Sequence, residues 1–282
     1  MLERFKLVIS LSVMVNISVM AASHPWEQIN SPSHGSPNAI GTYNQGCLAG
    51  GQPLALTGEG YRVVHPERRR NYGHPSLLGF IQDYAKTLKA KGLQNILIAD
   101  MSMPRGGPFS HGHRSHQIGL DVDIWFKTTT DKLTPSQQTN LRPINLVDSK
   151  NFRLESAWSS THQQMLKIAA QDPRVARIFV NQVIKQQLCT HTQAKQHWLA
   201  KIRPWWGHTK HMHIRLHCPI DQPLCQEQTA LAEGNGCQDL VWWKQQLTQP
   251  ATLRNTPPAK PKPKVDLPAP CAQLLARPET KA

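Results

Sequence analysis

Two short stretches far apart in the chain share a pattern that constrains both their conformation and their relation. In Leu120-Asp121-Val122-Asp123-Ile124-Trp125, Asp121 and Asp123 fall on one face of an extended strand, with Leu120, Val122 and Ile124 on the other. In His211-Met212-His213-Ile214-Arg215-Leu216, His211, His213 and Arg215 share one face, while Met212, Ile214 and Leu216 share the opposite one. Two such strands side by side put a carboxylate and two imidazoles on one polar surface over an apolar backing. His116 stands just before the first strand, and Gly119 lets the chain turn into it. His, Asp and His are ligand types that hold a zinc ion with one position open. Spacing does not decide how His211 and His213 divide the work. Both can reach one ion, or one can bind while the other moves protons. The competing reading is a polar strand face of hydrogen-bonded histidines.

A hydrolytic zinc needs a nearby base for the proton of the attacking water, and that base is often Glu. Between Glu155 and Glu227 the chain has no Glu. The candidates beside the second stretch are therefore His211 and His208, neutral imidazoles that titrate in the right range.

Arg4 and Lys6 precede an apolar run, residues 7–22, that is broken by Asn16 and serines and is shorter than the roughly 20 residues of a spanning helix. Residues 1–22 are expected to be a cleavable secretory signal that leaves no membrane anchor. The six cysteines, none in a C-x-x-C pair, then point to disulfides in an oxidising compartment. Spacing alone favours only Cys218–Cys225. The excess of 32 Lys+Arg over 18 Asp+Glu suits an anionic polymer. No basic run is interleaved with aromatics, so nucleic acid is not expected. A homo-oligomer is left open.

Residues 23–60, rich in Gly, Pro, Ser and Asn, read as a surface wrap. Pro75 starts a helix with an apolar stripe from Leu77 to Leu88, and Gly92 ends it. A buried strand follows at Ile96–Ala99, then a Gly/Pro-rich loop carrying Arg105, His111 and His113. Residues 127–150 form a second polar loop. A helix over 159–170, a strand at 178–180 and helical stretches at 183–188 and 193–202 precede the histidine strand. Residues 240–247 suit a last helix. Residues 23–249 are expected to be one domain and 250–282 a Pro/Lys-rich extended tail, which a disulfide at Cys271 could pin back. The fold class expected is α+β: a small antiparallel sheet carrying the zinc site, flanked by helices and long loops.

His116-x2-Gly119-x3-Asp123 followed by His211-x-His213 resembles the LAS metallopeptidases, the group that includes D-Ala-D-Ala peptidases and hedgehog-like domains. Arg105-Gly106-Gly107, the run Ser115 to Asp123, Ile178-Phe179-Val180-Asn181, and Arg203-Pro204-Trp205 with His211-Met212-His213-Ile214-Arg215 resemble the penicillin-insensitive murein endopeptidases within it. The resemblance implies a periplasmic enzyme in which His116, Asp123 and His213 bind Zn2+, His211 is the general base and His208 supports the transition state. It implies hydrolysis of the D-alanyl–meso-diaminopimelyl cross-link of peptidoglycan, without inhibition by β-lactams. It also implies the pairs Cys47–Cys271, Cys189–Cys237 and Cys218–Cys225. Relatives hold a second metal through a histidine at the place of His113 and groups on the loop after the first strand. That loop has no His here and offers only Asp131 and Asp148, so a second site is not expected, and His113 stays only a further candidate ligand. Arg105, Arg203 and Arg215 are candidates for gripping stem-peptide carboxylates. The rivals are a D,D-carboxypeptidase or L,D-endopeptidase on the same zinc, and a cell-wall binding protein without turnover.

Overall fold

The two alternating stretches are paired, antiparallel neighbours in a computed structural model of the chain, which describes residues 24–130, 132–191, 196–248 and 266–278. Asp123 sits opposite His213, Asp121 opposite Arg215 and Trp125 opposite His211. In chain order, a hairpin of β1 (Asn38–Thr42) and β2 (Gln45–Ala49) comes first. Short strands β3 (Gln52–Pro53), β4 (Thr57–Gly58), β5 (Tyr61–Val63) and β6 (Tyr72–Gly73) lead to helix α1 (Pro75–Ala90) and strand β7 (Asn95–Ile98). Next are β8 (Asp121–Thr129), α2 (Pro135–Asn140), the ladder of β9 (Val147–Asp148) with β10 (Arg153–Leu154), and α3 (Ser160–Gln171). Then come β11 (Val175–Val180), α4 (Gln182–His191), β12 (Ile202–Pro204), β13 (His211–Leu216), α5 (Leu240–Thr248) and α6 (Ala269–Ala276).

The main sheet has seven strands in the order β12-β11-β13-β8-β7-β5-β4. It is larger than the small antiparallel sheet expected, and it is mixed. β5 pairs parallel with β7, and β11 parallel with β12. The reason is connectivity: α1 links β5 to β7 and α4 lies between β11 and β12, and a helical crossover returns the chain in the same direction. The site strands β8 and β13 lie inside the sheet, where neighbours on both sides fix their register.

Val122, Ile124, Met212 and Ile214 join the main core with Leu77, Phe80, Ile81 and Leu88 of α1 and Met165 and Leu166 of α3. The Tyr84 hydroxyl donates to the Met165 carbonyl at 2.9 Å, tying the two helices. Helix α1 begins on His74, whose ring accepts from the Ser76 amide, and ends at Gly92, in the left-handed conformation expected of that residue (φ 80°).

Three further expectations change. Residues 23–60 do not merely wrap the surface: Ala39, Tyr43, Cys47 and Leu48 are fully or almost fully buried. The region 193–202, expected to be helical, gives a 3-10 turn at His197–Lys201 among the described residues. The tail ends in a helix, α6, whose Cys271 and Leu274 enter a second core with Trp26, Ile29, Ile40, Cys47, Met103 and Phe109. The Pro/Lys run and the signal lie outside the described residues. All three disulfides form the pairs that the resemblance implies. Among the described residues no helix is long and apolar enough to cross a membrane.

Candidate metal centre and cleft

The chain enters β8 through a strained turn. His116 has φ 68°, unusual for a residue with a side chain, and Gly119 has φ 74°. A Cβ on Gly119 would come within 2.8 Å of the His74 nitrogen, so the turn packs too closely for any other residue. The His116 amide donates to Asp121 Oδ2 at 3.1 Å, which holds the strained residue against the strand. Its imidazole is completely buried beside Asp123.

Four imidazoles surround the Asp123 carboxylate. His116 Nε2 lies 3.4 Å and His213 Nδ1 3.5 Å from Oδ1. His211 Nε2 lies 3.5 Å and His113 Nδ1 3.7 Å from Oδ2. Two of these rings turn their other nitrogen to a second carboxylate. His213 Nε2 meets Asp121 Oδ1 at 2.8 Å, and His113 Nε2 meets Asp100 Oδ2 at 2.8 Å. A carboxylate behind an imidazole is how proteins set the ring that presents its inner nitrogen to a metal. His113, His116 and Asp123 offer ligand atoms that all lie within 4.8 Å of one another.

Whether these residues suit a cation is tested by what their polar atoms lack. Both nitrogens of His116 and Asp123 Oδ1 are buried without a hydrogen-bond partner. Leaving such atoms unpaired costs about 1–3 kcal/mol each. A cation beside His116 Nε2 and Asp123 Oδ1 accepts one lone pair from each, and the nitrogen-and-carboxylate donor set is one that zinc favours. The electrostatics agree. Burial pushes the Asp123 carboxyl up, but His211, His116 and His113 outweigh it and hold it well below the usual carboxylate range. Burial, with His116 beside it, takes His213 down to about 3, so that ring is neutral and keeps a lone pair. For His116 burial opposes the charged form, yet Asp123 and Asp121 lift it above the ordinary imidazole value, so the two carboxylates favour a positive charge, proton or metal, at that ring.

The cluster forms the floor of a cleft of about 640 Å³. Arg114, Arg177, Phe179, Trp205 and Trp206 line its walls, together with His208. The His208 ring centroid is 4.9 Å from that of His211. His208 Nδ1 lies 2.7 Å from the Trp206 carbonyl, which can only accept. The hydrogen therefore sits on Nδ1, and Nε2 retains a lone pair.

Of the residues singled out in the sequence, the structure brings His113, His116, Asp123, His208, His211, His213 and Arg215 together. Two arginines expected to grip substrate are elsewhere. Arg105 is 1 % exposed, and its guanidinium donates to the carbonyls of Ser31, Leu274, Arg277 and Pro278. It clamps the end of α6, whose last carbonyls need donors. Arg203 pairs with Asp239 at 2.5 Å and holds the start of α5. Arg215 does line the cleft, but its Nε is committed to Asp121 at 2.7 Å and its guanidinium lies over the Tyr43 ring at 4.2 Å. Asp148, considered for a second metal, bonds Asn151 and Arg153 instead, and Asp131 lies outside the described residues. Sequence reasoning missed Asp100 and Arg177 and gave Asp121 no role. Asp121 had a signal, since it shares the polar face of β8 with Asp123.

A sequence model of the family described as penicillin-insensitive murein endopeptidase matches residues 39–276. The chain is 44 % identical over 233 residues to a protein of that name from Yersinia enterocolitica, covering 82 % of this chain and 85 % of the relative. It is 40 % identical over 270 residues to one from Klebsiella pneumoniae, covering 95 % and 97 %. It is 38 % identical over 282 residues to one from Haemophilus influenzae, covering 98 % and 96 %.

Proposed function

The chain belongs to the penicillin-insensitive murein endopeptidase family, and we propose that this peptidase acts on murein through a single zinc held by His116, Asp123 and His213, whose Nδ1 stands 3.5 Å from the Asp123 carboxylate, with His113 of the closest-set trio in reach. The observation that carries the metal is the pair of buried, unpaired atoms His116 Nε2 and Asp123 Oδ1, 3.4 Å apart. Bound there, zinc supplies Lewis-acid polarisation of a carbonyl and lowers the pKa of water.

The chain's own residues do the rest. Asp121 and Asp100 fix the His213 and His113 rings from behind. His211 stands at the rim of the cluster, half-buried, and takes the proton from the attacking water. The proton passes to the amine nitrogen as the C–N bond breaks. His208, with its hydrogen fixed on Nδ1, offers Nε2 to the same transfer or to its charge. Arg114, Arg177 and Arg215 line the cleft and suit the carboxylates of stem peptides. The bond proposed is the D-alanyl–meso-diaminopimelyl cross-link. No serine acts as nucleophile in this scheme, so a β-lactam has nothing to acylate. Three disulfides and a murein substrate fit work outside the cytoplasm, and the periplasm is the compartment proposed.

Mass spectrometry of a purified cross-linked muropeptide dimer, digested with and without chelator, tests this. Conversion to two monomers, lost with chelator and restored by zinc, is expected. Release of free D-alanine would indicate a carboxypeptidase, and cleavage at another bond an L,D-enzyme. An intact dimer with zinc-loaded protein would leave a binding protein.

A further inference from the structure

The cleft continues past the histidines as a row of aromatic rings. Phe179 meets the His213 ring at 5.2 Å and Trp205 at 5.8 Å. Trp206, next in the chain, packs on Trp243 at 4.7 Å, and Trp242 packs on the same Trp243 at 5.1 Å. Trp243 is the buried base of this group, while Trp206 and Trp242 stand 46 % and 51 % exposed. Val241 beside them is 65 % exposed. The rings are firmly mounted. The Cys189–Cys237 disulfide anchors the chain just before α5, and Arg203 pairs with Asp239 at its threshold.

Two half-exposed indoles and a valine on one helix and its neighbouring loop are an apolar patch, and such patches mark contact sites. Indole suits a partner that is apolar on one face and wet on the other, because it is a broad flat ring with a polar N–H handle. A pyranose ring is such a partner: its axial C–H face stacks on the indole while its hydroxyls keep their water. We propose that Trp206 and Trp242 form a stacking subsite for the hexosamine strand of murein. This rests on the murein-peptidase reading, since glycan is the polymer to which the stem peptides are covalently attached. Continuity selects the occupant. Trp206 lines the cleft where the peptide is cut and shares Trp243 with Trp242, so a peptide in the cleft brings its own glycan to the neighbourhood of the rings. Tethering of this kind raises the effective concentration of the second contact without demanding a tight site.

The test uses the full-length mature protein and Trp242→Ala, at a residue outside the cleft lining. Rates are compared on two substrates: intact sacculi, and the cross-linked peptide dimer stripped of glycan. The ratio of sacculus rate to peptide rate is expected to fall about fivefold, a change worth about one aromatic contact. An unchanged ratio overturns the proposal, as does an equal loss on both substrates, which would mean a general distortion. A second measurement needs no turnover: tryptophan fluorescence titrated with the N-acetylglucosamine tetramer. Wild type should respond and Trp242→Ala should respond less. No response in wild type, or the same response in both, overturns the subsite even if the peptidase is active. A sugar response from a protein that cleaves neither substrate sinks the peptidase reading alone. Emission shifted by anionic phosphatidylglycerol vesicles but not by the sugar would assign the patch to lipid. Concentration-dependent dimerisation abolished by Trp242→Ala would assign it to a second copy.

Discussion

Asp121 performs no chemistry in the scheme above, yet three parts of the site depend on it. Its Oδ1 takes His213 Nε2 and Arg215 Nε, and its Oδ2 takes the backbone amide of the strained His116. Burial opposes its charge, but Arg215 and His213 hold it far below the usual carboxylate range, so it stays an acceptor of three donors. Asp121→Asn replaces one accepting oxygen with a donor and keeps the volume. Zinc affinity is expected to fall by about 10–100-fold, read by competition with a chromophoric chelator, while the far-UV spectrum stays native. Unchanged affinity would mean that the ring is held by packing alone. The two candidate proton carriers separate by kinetics. His211→Ala should lower kcat by about a hundredfold or more, with zinc content retained. His208→Ala should cost less, because its Nδ1 is tied to the Trp206 carbonyl and its ring stands farther from the Asp123 cluster. A larger loss at His208 than at His211 would exchange their roles.

At the scale of the element, the site was legible where a period was present. The alternation over residues 120–125 and 211–216 gave both faces, and the register puts Asp123 against His213. Contacts made between loops left no period to read. Asp100 follows a buried strand and reaches His113 across a Gly/Pro-rich loop. The hairpin of β1 and β2 was hidden by its composition: a Cβ on Gly46 would come 2.4 Å from Ile118, so the glycines that look like loop residues are demanded by close packing. Helix α6 was hidden by the proline run before it. Arg105 misled for a related reason. An arginine near a site suggests an anion, but the partners that claim it are carbonyls at the end of α6 and at Ser31, ahead of β1. Arg105→Ala therefore belongs to stability. It should lower the unfolding free energy by about 2–4 kcal/mol through several unsatisfied carbonyls and a lost buried side chain, read from the urea midpoint. KM on the cross-linked peptide should not move. A raised KM with an unchanged midpoint would return Arg105 to the substrate.

At the scale of the whole molecule, three disulfides join what the sheet does not. Cys47–Cys271 closes a span of 224 residues and seats α6 under the hairpin, next to the loop that carries His113. Around this frame the chain carries a formal net charge of +14, while the cleft floor is organised around a buried carboxylate. Arg114, Arg177 and Arg215 of that excess line the cleft, and the effect of the remainder on an anionic, insoluble polymer is attraction over distance rather than chemistry at the bond. Such attraction is screened over about 10 Å at 0.1 M salt, whereas contacts within the buried cluster are screened much less. Raising NaCl from about 0.05 to 0.3 M should thus raise KM on sacculi several-fold and leave kcat nearly constant. The short peptide dimer, which meets only the cleft, should show a smaller rise. Sedimentation of the zinc-loaded, His211→Ala protein with sacculi separates binding from turnover across the same salt series. If binding and KM hold constant from low to high salt, the positive charge serves solubility, and capture of the polymer rests on the cleft and its aromatic wall alone.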